Sequence, residues 1–130
     1  TAMHWEVFPQ GLGDLLIWLN EEYAPESLMV TENGSAFPDE WDGSSDHVHD
    51  PLRVDYLQDH LKEVSRAIEQ GAPVHGYFVW SLVDNFEWAH GYSKRFGIIY
   101  NDYPTQHRII KDTGLWYTNF IRLQRELHNA

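Results

Sequence analysis

The chain has 130 residues, of which 42% are hydrophobic and 15% aromatic, so its composition excludes an intrinsically disordered segment and predicts a globular piece. Its formal net charge is -11 with only nine Lys and Arg residues, so nucleic acid is not an expected partner, because phosphate-backbone binding needs clustered cations. It contains no cysteine, which excludes disulfides and thiolate sites and leaves the compartment undetermined, with a cytoplasmic location favoured. It has no apolar run of the roughly 20 residues that a membrane span needs.

The first half of the chain predicts a helix, a strand and a long polar loop. A helix is predicted over Pro9 to Tyr23, because apolar residues recur there at helical spacing, namely Leu12, Leu15, Leu16 and Leu19. A short strand is predicted over Glu26 to Thr31 by its length and its apolar run. The polar stretch 35–50 that follows predicts a loop, and long loops at strand ends often line functional sites.

The second half predicts a helix, a strand and a final helix. Asp50 followed by Pro51 resembles an N-cap and a first helical position, and the helix is predicted to stop at Gly71. Its regular apolar stripe consists of Val54, Leu57, Leu61, Val64 and Ile68. A strand is predicted over Val74 to Trp80, and its mainly apolar character favours a parallel strand buried on both faces. Thr113 is predicted to cap the last helix, whose apolar residues are Trp116, Phe120, Leu123 and Leu127.

This order of helix, strand, helix, strand and helix predicts an α/β fold with a parallel strand pair. Two parallel strands do not form a sheet that buries itself, and their open edges would be prone to pairing. The remaining strands are therefore expected to come from elsewhere.

Glu32 is the most informative residue, because it follows the apolar run 28–30 and precedes the turn signal of Asn33 and Gly34. A carboxylate at the end of a buried strand is held rigidly yet reaches solvent, as a nucleophile must. Taken alone, the position is equally compatible with a solvated residue that opens a turn. The second predicted strand also ends among indoles and a carboxylate, at Trp80, Glu87 and Trp88, and this favours a functional site.

Three motifs, in this order, resemble glycoside hydrolase family 1, the β-glucosidases. They are Thr31-Glu32-Asn33-Gly34, Trp80-Ser81-Leu82-Val83-Asp84-Asn85-Phe86-Glu87-Trp88 and Gly91-Tyr92-Ser93-Lys94-Arg95-Phe96-Gly97-Ile98. The segments Met3, Trp5-Glu6-Val7 and Pro9-Gln10-Gly11-Leu12 also resemble that family. The resemblance implies that residues 1–130 are the C-terminal part of a single (β/α)8 TIM barrel catalytic domain, comprising helix 6, strand 7, helix 7, strand 8 and helix 8.

The resemblance also implies a role for each candidate site residue. Glu32 matches the catalytic nucleophile, which forms a covalent glycosyl-enzyme and gives retention of configuration. Four positions match residues around the sugar or its aglycone, and they are Trp80, Trp88, Phe96 and Trp5. Glu87 matches the residue that accepts hydrogen bonds from sugar hydroxyls, and its charge would repel a 6-phosphate, so unphosphorylated β-glucosides are the expected substrates.

The chain lacks the second carboxyl group that a retaining mechanism needs. The family carries this general acid/base in an Asn-Glu-Pro motif, and no such motif occurs here, since the only Asn-Glu, Asn20-Glu21, is followed by Glu22. The expected partner is therefore the N-terminal portion of the same barrel, as a second chain or a missing segment, and the chain alone is expected to be inactive. Two other readings stay open, a sugar-binding module without turnover and an inert barrel fragment.

No cofactor and no metal are expected. His47 and His49, with Asp42, Asp46 and Asp50 nearby, could be assembled into a metal site on paper, but ligand spacing on an irregular loop fixes no geometry. Lys94 and Arg95 form a short cationic pair that is expected to be solvated or paired with local carboxylates.

Overall fold

The structure of the chain is a computed structural model, and it describes residues 1–128. These residues form three helices and five strands, and the strands pair into two small sheets. The helices are α1 (Pro9–Tyr23), α2 (Pro51–Glu69) and α3 (Asp112–His128). The strands are β1 (Leu28–Asn33), β2 (His47–Val48), β3 (Val74–Val79), β4 (Ile99–Asp102) and β5 (His107–Lys111), and a 3-10 turn spans Trp88–His90.

The first sheet consists of β1 and β3, which pair in parallel. Val30 lies opposite Tyr77 and Asn33 lies opposite Val79, so the carboxyl ends of both strands meet at one edge. The predicted parallel pairing is confirmed. The predicted burial of β3 on both faces is wrong for the described residues, because His75 and Phe78 are exposed and no residue of β3 is fully buried. The bounds of β1 differ from the prediction at both ends, because the strand begins at Leu28 instead of Glu26 and ends at Asn33 instead of Thr31.

The second sheet was not predicted. It has the order β2, β5, β4, in which β5 pairs in parallel with β2 and antiparallel with β4. Its strands β4 and β5 lie in the aromatic region before α3, and β2 lies in the polar stretch 35–50, and the sequence pattern indicates both segments only as loop. Its strands are two to five residues long, and partners distant in the chain stabilise them rather than local periodicity.

The core lies between the helices α1 and α2 and the first sheet. Its buried residues are Leu16, Val30, Val64, Ala67 and Ala72. The helix α1 has the predicted bounds, with Pro9 at its start and Ala24 in the left-handed conformation after its last residue. The apolar stripe predicted for α2 is buried at Leu57 and Val64, but Ile68 at its end is half exposed.

The predicted capping of two helices is corrected by the structure. Asp50 precedes α2, but its side chain makes no capping bond there, because it accepts hydrogen bonds from the backbone N–H and the hydroxyl of Thr113 instead. Thr113 itself lies inside the first turn of α3, which begins at Asp112, so it is not the N-cap. Asp50 thus satisfies an N–H at the start of α3, where unpaired donors need a partner.

The first sheet has one apolar surface that the described residues do not cover. Met29 of β1 and Phe78 of β3 are 58% and 56% exposed, although both lie within strands. Among residues 1–128, no helix is both long and apolar enough to cross a membrane.

Candidate active site

The carboxyl ends of β1 and β3 bring the two predicted motifs together. Glu32 is the last residue but one of β1, and Trp80 follows β3 directly. The N–H of Trp80 donates to the carbonyl oxygen of Asn33 at 3.0 Å, so backbone pairing continues past the last residue of β3. The peptide bond between Trp80 and Ser81 is cis. Backbone hydrogen bonding therefore fixes the position of the Glu32 strand end relative to Trp80.

A cavity of about 350 Å³ lies at this edge, and all six residues singled out from the sequence line it. Its lining consists of Trp5, Glu32, Asn33, Gly34, Trp80, Glu87, Trp88 and Phe96. Asn33 and Gly34 also line the cavity, although the sequence did not predict them as site residues. They directly follow Glu32 in the chain, and this proximity could have indicated them.

The lining residues differ in exposure, which divides the cavity into a floor and a rim. Phe96 is only 4% exposed and forms the floor, where its ring contacts that of Trp5 at a centroid distance of 6.0 Å. Trp88 is 82% exposed and stands on the rim. Glu32 is exposed and Glu87 is half-buried, so both carboxylates are accessible from the open side. The cavity thus combines aromatic faces with two carboxylates.

The loop that carries Glu87 and Trp88 is closed by a short backbone turn. The N–H of Glu87 donates to the carbonyl oxygen of Gly91 at 2.7 Å, and the N–H of Gly91 donates to the carbonyl oxygen of Trp88 at 3.1 Å. Gly91 has φ 56° and ψ -129°, a conformation that only glycine adopts readily. This turn sets the direction in which Trp88 projects over the cavity.

Two tyrosines hold Asn33, the neighbour of Glu32. The hydroxyl of Tyr77 donates to Asn33 Oδ1 at 2.6 Å, and Asn33 Nδ2 donates to the hydroxyl oxygen of Tyr56 at 3.4 Å. Burial, together with the neighbouring Tyr56, raises the pKa of Tyr77, so its hydroxyl stays a donor. Side chains from α2 and β3 therefore fix the amide next to the candidate nucleophile.

A larger cleft of about 450 Å³ lies between α2, β3 and α3. Its lining includes Val64, Ile68 and Phe120 but no carboxylate, so it lacks the groups that acid, base or nucleophilic chemistry on a sugar requires. The smaller cavity at the strand ends is the better candidate for a catalytic site.

The histidine and aspartate residues of the loop 42–50 form separate contacts. His47 and His49 both reach the carboxylate of Asp112, while Asp42 accepts hydrogen bonds within its own turn from Ser44 and Ser45. Within residues 1–128, no group of three or more candidate ligands is placed to hold a metal ion. Arg95 is paired with a local carboxylate, that of Asp84, as expected.

The comparison with known families identifies the chain. The family model for Glycosyl hydrolase family 1 matches residues 1–126. The chain belongs to this family. It matches the C-terminal portion of the family's proteins and spans about 27% of the length of the curated relatives most similar to it.

The chain is similar to β-glucosidases and related enzymes, among them the following three. A 1,4-beta-D-glucan glucohydrolase from Thermotoga neapolitana is 57% identical over 122 residues, covering 94% of this chain and 27% of the relative. A bifunctional beta-D-glucosidase/beta-D-fucosidase from Bifidobacterium breve is 52% identical, covering 93% and 27%. The solved β-glucosidase from Thermotoga maritima in complex with glucoimidazole is 53% identical with a TM-score of 0.91, covering 94% and 28%. This family's TIM barrel is the α/β architecture to which the chain contributes.

Proposed function

We propose that the chain is the C-terminal part of a single (β/α)8 catalytic domain, supplying helix 6, strand 7, helix 7, strand 8 and helix 8 of a retaining β-glycosidase. The observation that carries this proposal is the cavity at the joined ends of β1 and β3, where Glu32, Glu87 and four aromatic side chains meet. The exposed Met29 and Phe78 side chains support it, because further strands would cover them. We call the chain joined to an N-terminal portion that supplies those strands the completed barrel.

In the proposed reaction, Glu32 attacks the anomeric carbon while the glycosidic oxygen leaves with a proton from a carboxylic acid. A covalent glycosyl-enzyme forms, and water then attacks the same carbon, transferring a proton to that second carboxylate and releasing Glu32. The second group must stand roughly 5 to 5.5 Å from Glu32 for this retaining route. No Asn-Glu-Pro motif occurs in the chain, so the N-terminal portion supplies the acid/base and the chain alone is inactive.

The remaining lining residues bind the sugar. Trp80 and Trp88 offer an apolar face and an indole N–H, the two groups that a sugar ring with its hydroxyls can use. Glu87 accepts hydrogen bonds from hydroxyls, and its negative charge repels a phosphorylated sugar. Phe96 lies beside the hydroxymethyl group of the sugar, and Trp5, whose ring contacts that of Phe96, lines the aglycone side. The proposed substrates are therefore unphosphorylated β-glucosides.

The test measures hydrolysis of an aryl β-glucoside and, by intact mass, labelling with a 2-fluoro-glucoside, for the completed barrel and for the chain alone. Turnover and a label on the Glu32 peptide are expected only for the completed barrel. Glu32→Gln should abolish both, while Glu26→Gln, an exposed glutamate just before β1, should leave both unchanged.

Other outcomes separate the alternatives. Sugar binding by the completed barrel without label or turnover would replace the enzyme with a binding module, and neither binding nor label would leave an inert fragment. Faster hydrolysis of the corresponding 6-phosphoglucoside would overturn the substrate assignment that rests on Glu87.

A further inference from the structure

Six charged side chains form a buried cluster that contacts the segments carrying the candidate site. Five of them are at most 1% exposed and the sixth, Arg95, is 17% exposed. The cluster consists of the carboxylates Asp39, Asp50 and Asp84 and the cations Arg53, Arg95 and Lys111. Three negative and three positive charges balance, so the cluster as a whole is neutral.

Such a cluster is weak evidence for stability by itself. Removing ions from water is costly, and well-packed apolar residues of similar volume are often equally stable or more so. Burial lowers the pKa of Lys111, with a further contribution from Arg53, while Asp84 and Asp39 oppose the change. What the charged groups provide and apolar groups do not is direction, because each hydrogen bond fixes an angle as well as a distance.

Arg53, in the first turn of α2, uses all five of its N–H donors. Two of them donate to the two carboxylate oxygens of Asp39, at 3.1 and 2.7 Å. A third donates to a carboxylate oxygen of Asp50. The other two go to backbone carbonyl oxygens, that of Ser35 at 3.2 Å and that of Arg95 at 2.9 Å. Ser35 is three residues after Glu32, and Arg95 directly precedes the next lining residue in the chain. One guanidinium thus connects the Glu32 turn to the loop that carries the cavity floor.

Asp84 makes the corresponding connection for the loop after β3. Its Oδ1 accepts from the N–H of Gly97 at 2.9 Å and from Lys111 Nζ at 2.9 Å, and its Oδ2 accepts from Arg95 at 2.7 Å. In the chain Asp84 lies between Trp80 and Glu87, and Gly97 directly follows Phe96. Asp84 therefore links the segment that carries Trp80, Glu87 and Trp88, the three proposed sugar contacts, to the floor of the cavity.

Lys111 joins the two halves of the cluster. Its Nζ donates to Asp39 Oδ2 at 2.6 Å as well as to Asp84, so a continuous chain of ion pairs runs from Arg53 to Arg95. The loop after β1 and both ends of the segment 80–98, which connects β3 to β4, are held by this chain of contacts. A shift of any one loop would break hydrogen bonds to the others.

We propose that this buried cluster is a positioning device that holds Glu32, Trp80, Glu87 and Phe96 in one fixed arrangement, with Arg53 as its central positioning residue. The inference rests on the proposed glycosidase function, since it assigns the cluster a role in that same site. Positioning matters because a displacement of about 1 Å in a reacting group can cost on the order of 100-fold in rate.

The experiment uses the completed barrel with Arg53→Lys, which keeps the charge but loses the planar fork that spans the two carbonyl groups. The matched control is Arg66→Lys in the same helix, where Arg66 pairs with Asp14 and Glu63 outside the cluster. Asp39→Asn is made in parallel, because it preserves the side-chain shape and removes one of the two carboxylates on Arg53. The measurement is the rate constant of 2-fluoro-glucoside labelling at saturation, at a temperature where circular dichroism shows each variant to be folded.

The expected result is a labelling rate constant that falls roughly 10- to 100-fold in Arg53→Lys and Asp39→Asn and is unchanged in Arg66→Lys. A purely structural role would lower the melting temperature and leave the labelling rate of the folded protein at its wild-type value, and that result would overturn the inference. Failure of both cluster variants to fold where the control folds would also overturn it in favour of a stabilising role. An unlabelled wild type would instead refute the proposed function.

Discussion

Gly34 lies directly against the backbone of Trp80. A Cβ atom added to Gly34 would stand 1.7 Å from the carbonyl oxygen of Trp80 and 2.8 Å from its carbonyl carbon, closer than non-bonded atoms approach. The turn after β1 and the first residue after β3 therefore share a space that only a hydrogen atom fits. This contact brings the Glu32 motif and the Trp80 motif into one cavity.

Gly34→Ala is expected to separate the two strand ends. Because the obstructing atoms belong to the backbone, they cannot move aside as a flexible side chain could, and the free energy of unfolding should fall by about 3 kcal/mol or more. Denaturant unfolding of the completed barrel measures this. The matched control is Gly76→Ala in β3, where the added Cβ would meet flexible side-chain atoms of Met29 and Phe78 at 3.4 Å. Equal effects of the two substitutions would contradict the role given to the close approach.

Much of the element order is evident from the sequence, because α1, α2 and β3 have long apolar patterns. The predicted end of β1 is Thr31, because the apolar run ends just before it, but pairing with β3 resumes at Asn33 after an irregularity in the register between Val30 and Asn33. A residue that is held in a strand by backbone hydrogen bonds to a distant part of the chain need not show a strand pattern in its own sequence. The same reason explains why β2, β4 and β5 were not predicted.

The six residues that line the candidate cavity could be named from the motifs, but the buried ion cluster could not. Charged residues are usually solvated, so Asp39 and Lys111 look like surface positions when they are read one by one. One signal was present in α2, whose buried face carries Arg53 and His60 among apolar residues at helical spacing. A cation and a histidine on the buried side of a helix indicate buried partners.

Tyr77→Phe is expected to loosen Asn33 beside Glu32. The substitution removes the hydroxyl that donates to Asn33 Oδ1 at 2.6 Å and leaves that oxygen without its donor in a part-buried position. The expected loss in unfolding free energy is about 1 to 3 kcal/mol. Tyr117→Phe is the control, because its hydroxyl makes only a 3.4 Å contact with the carbonyl oxygen of Tyr77. Calorimetry of the completed barrel would contradict the prediction if Tyr117→Phe were the more destabilising change.

Trp88→Ala is expected to weaken sugar binding while leaving stability nearly intact. The side chain is 82% exposed, so its removal should change the free energy of unfolding by no more than about 0.5 kcal/mol. Loss of an aromatic anchor should weaken binding of a glucose-like inhibitor by about 1 to 2 kcal/mol. Titration calorimetry measures the affinity, and Trp88→Phe should recover part of it. Unchanged affinity in Trp88→Ala would remove this residue from the sugar site.

His60→Gln is expected to reduce the loss of stability in acid. His60 is 4% exposed, stacks on Tyr56 and donates through Nδ1 to the carbonyl oxygen of the same residue. Burial lowers its pKa, against opposing effects of the Tyr56 hydrogen bond, Asp59 and Glu63. The unfolded chain therefore binds the proton more readily, and stability falls as the pH drops below about 6.5.

Unfolding free energies of the completed barrel at pH 7.5 and 5.5 should differ less in His60→Gln than in the wild type. His47→Gln provides a comparison of opposite sign, because Asp46 and, to a smaller extent, Asp112 raise the pKa of the exposed His47. That histidine stabilises the fold below about pH 6.5 and loses its contribution as the pH rises through its folded pKa, so its removal should make the loss in acid slightly steeper. The same pH dependence in His60→Gln and wild type would show that His60 is not the group that titrates.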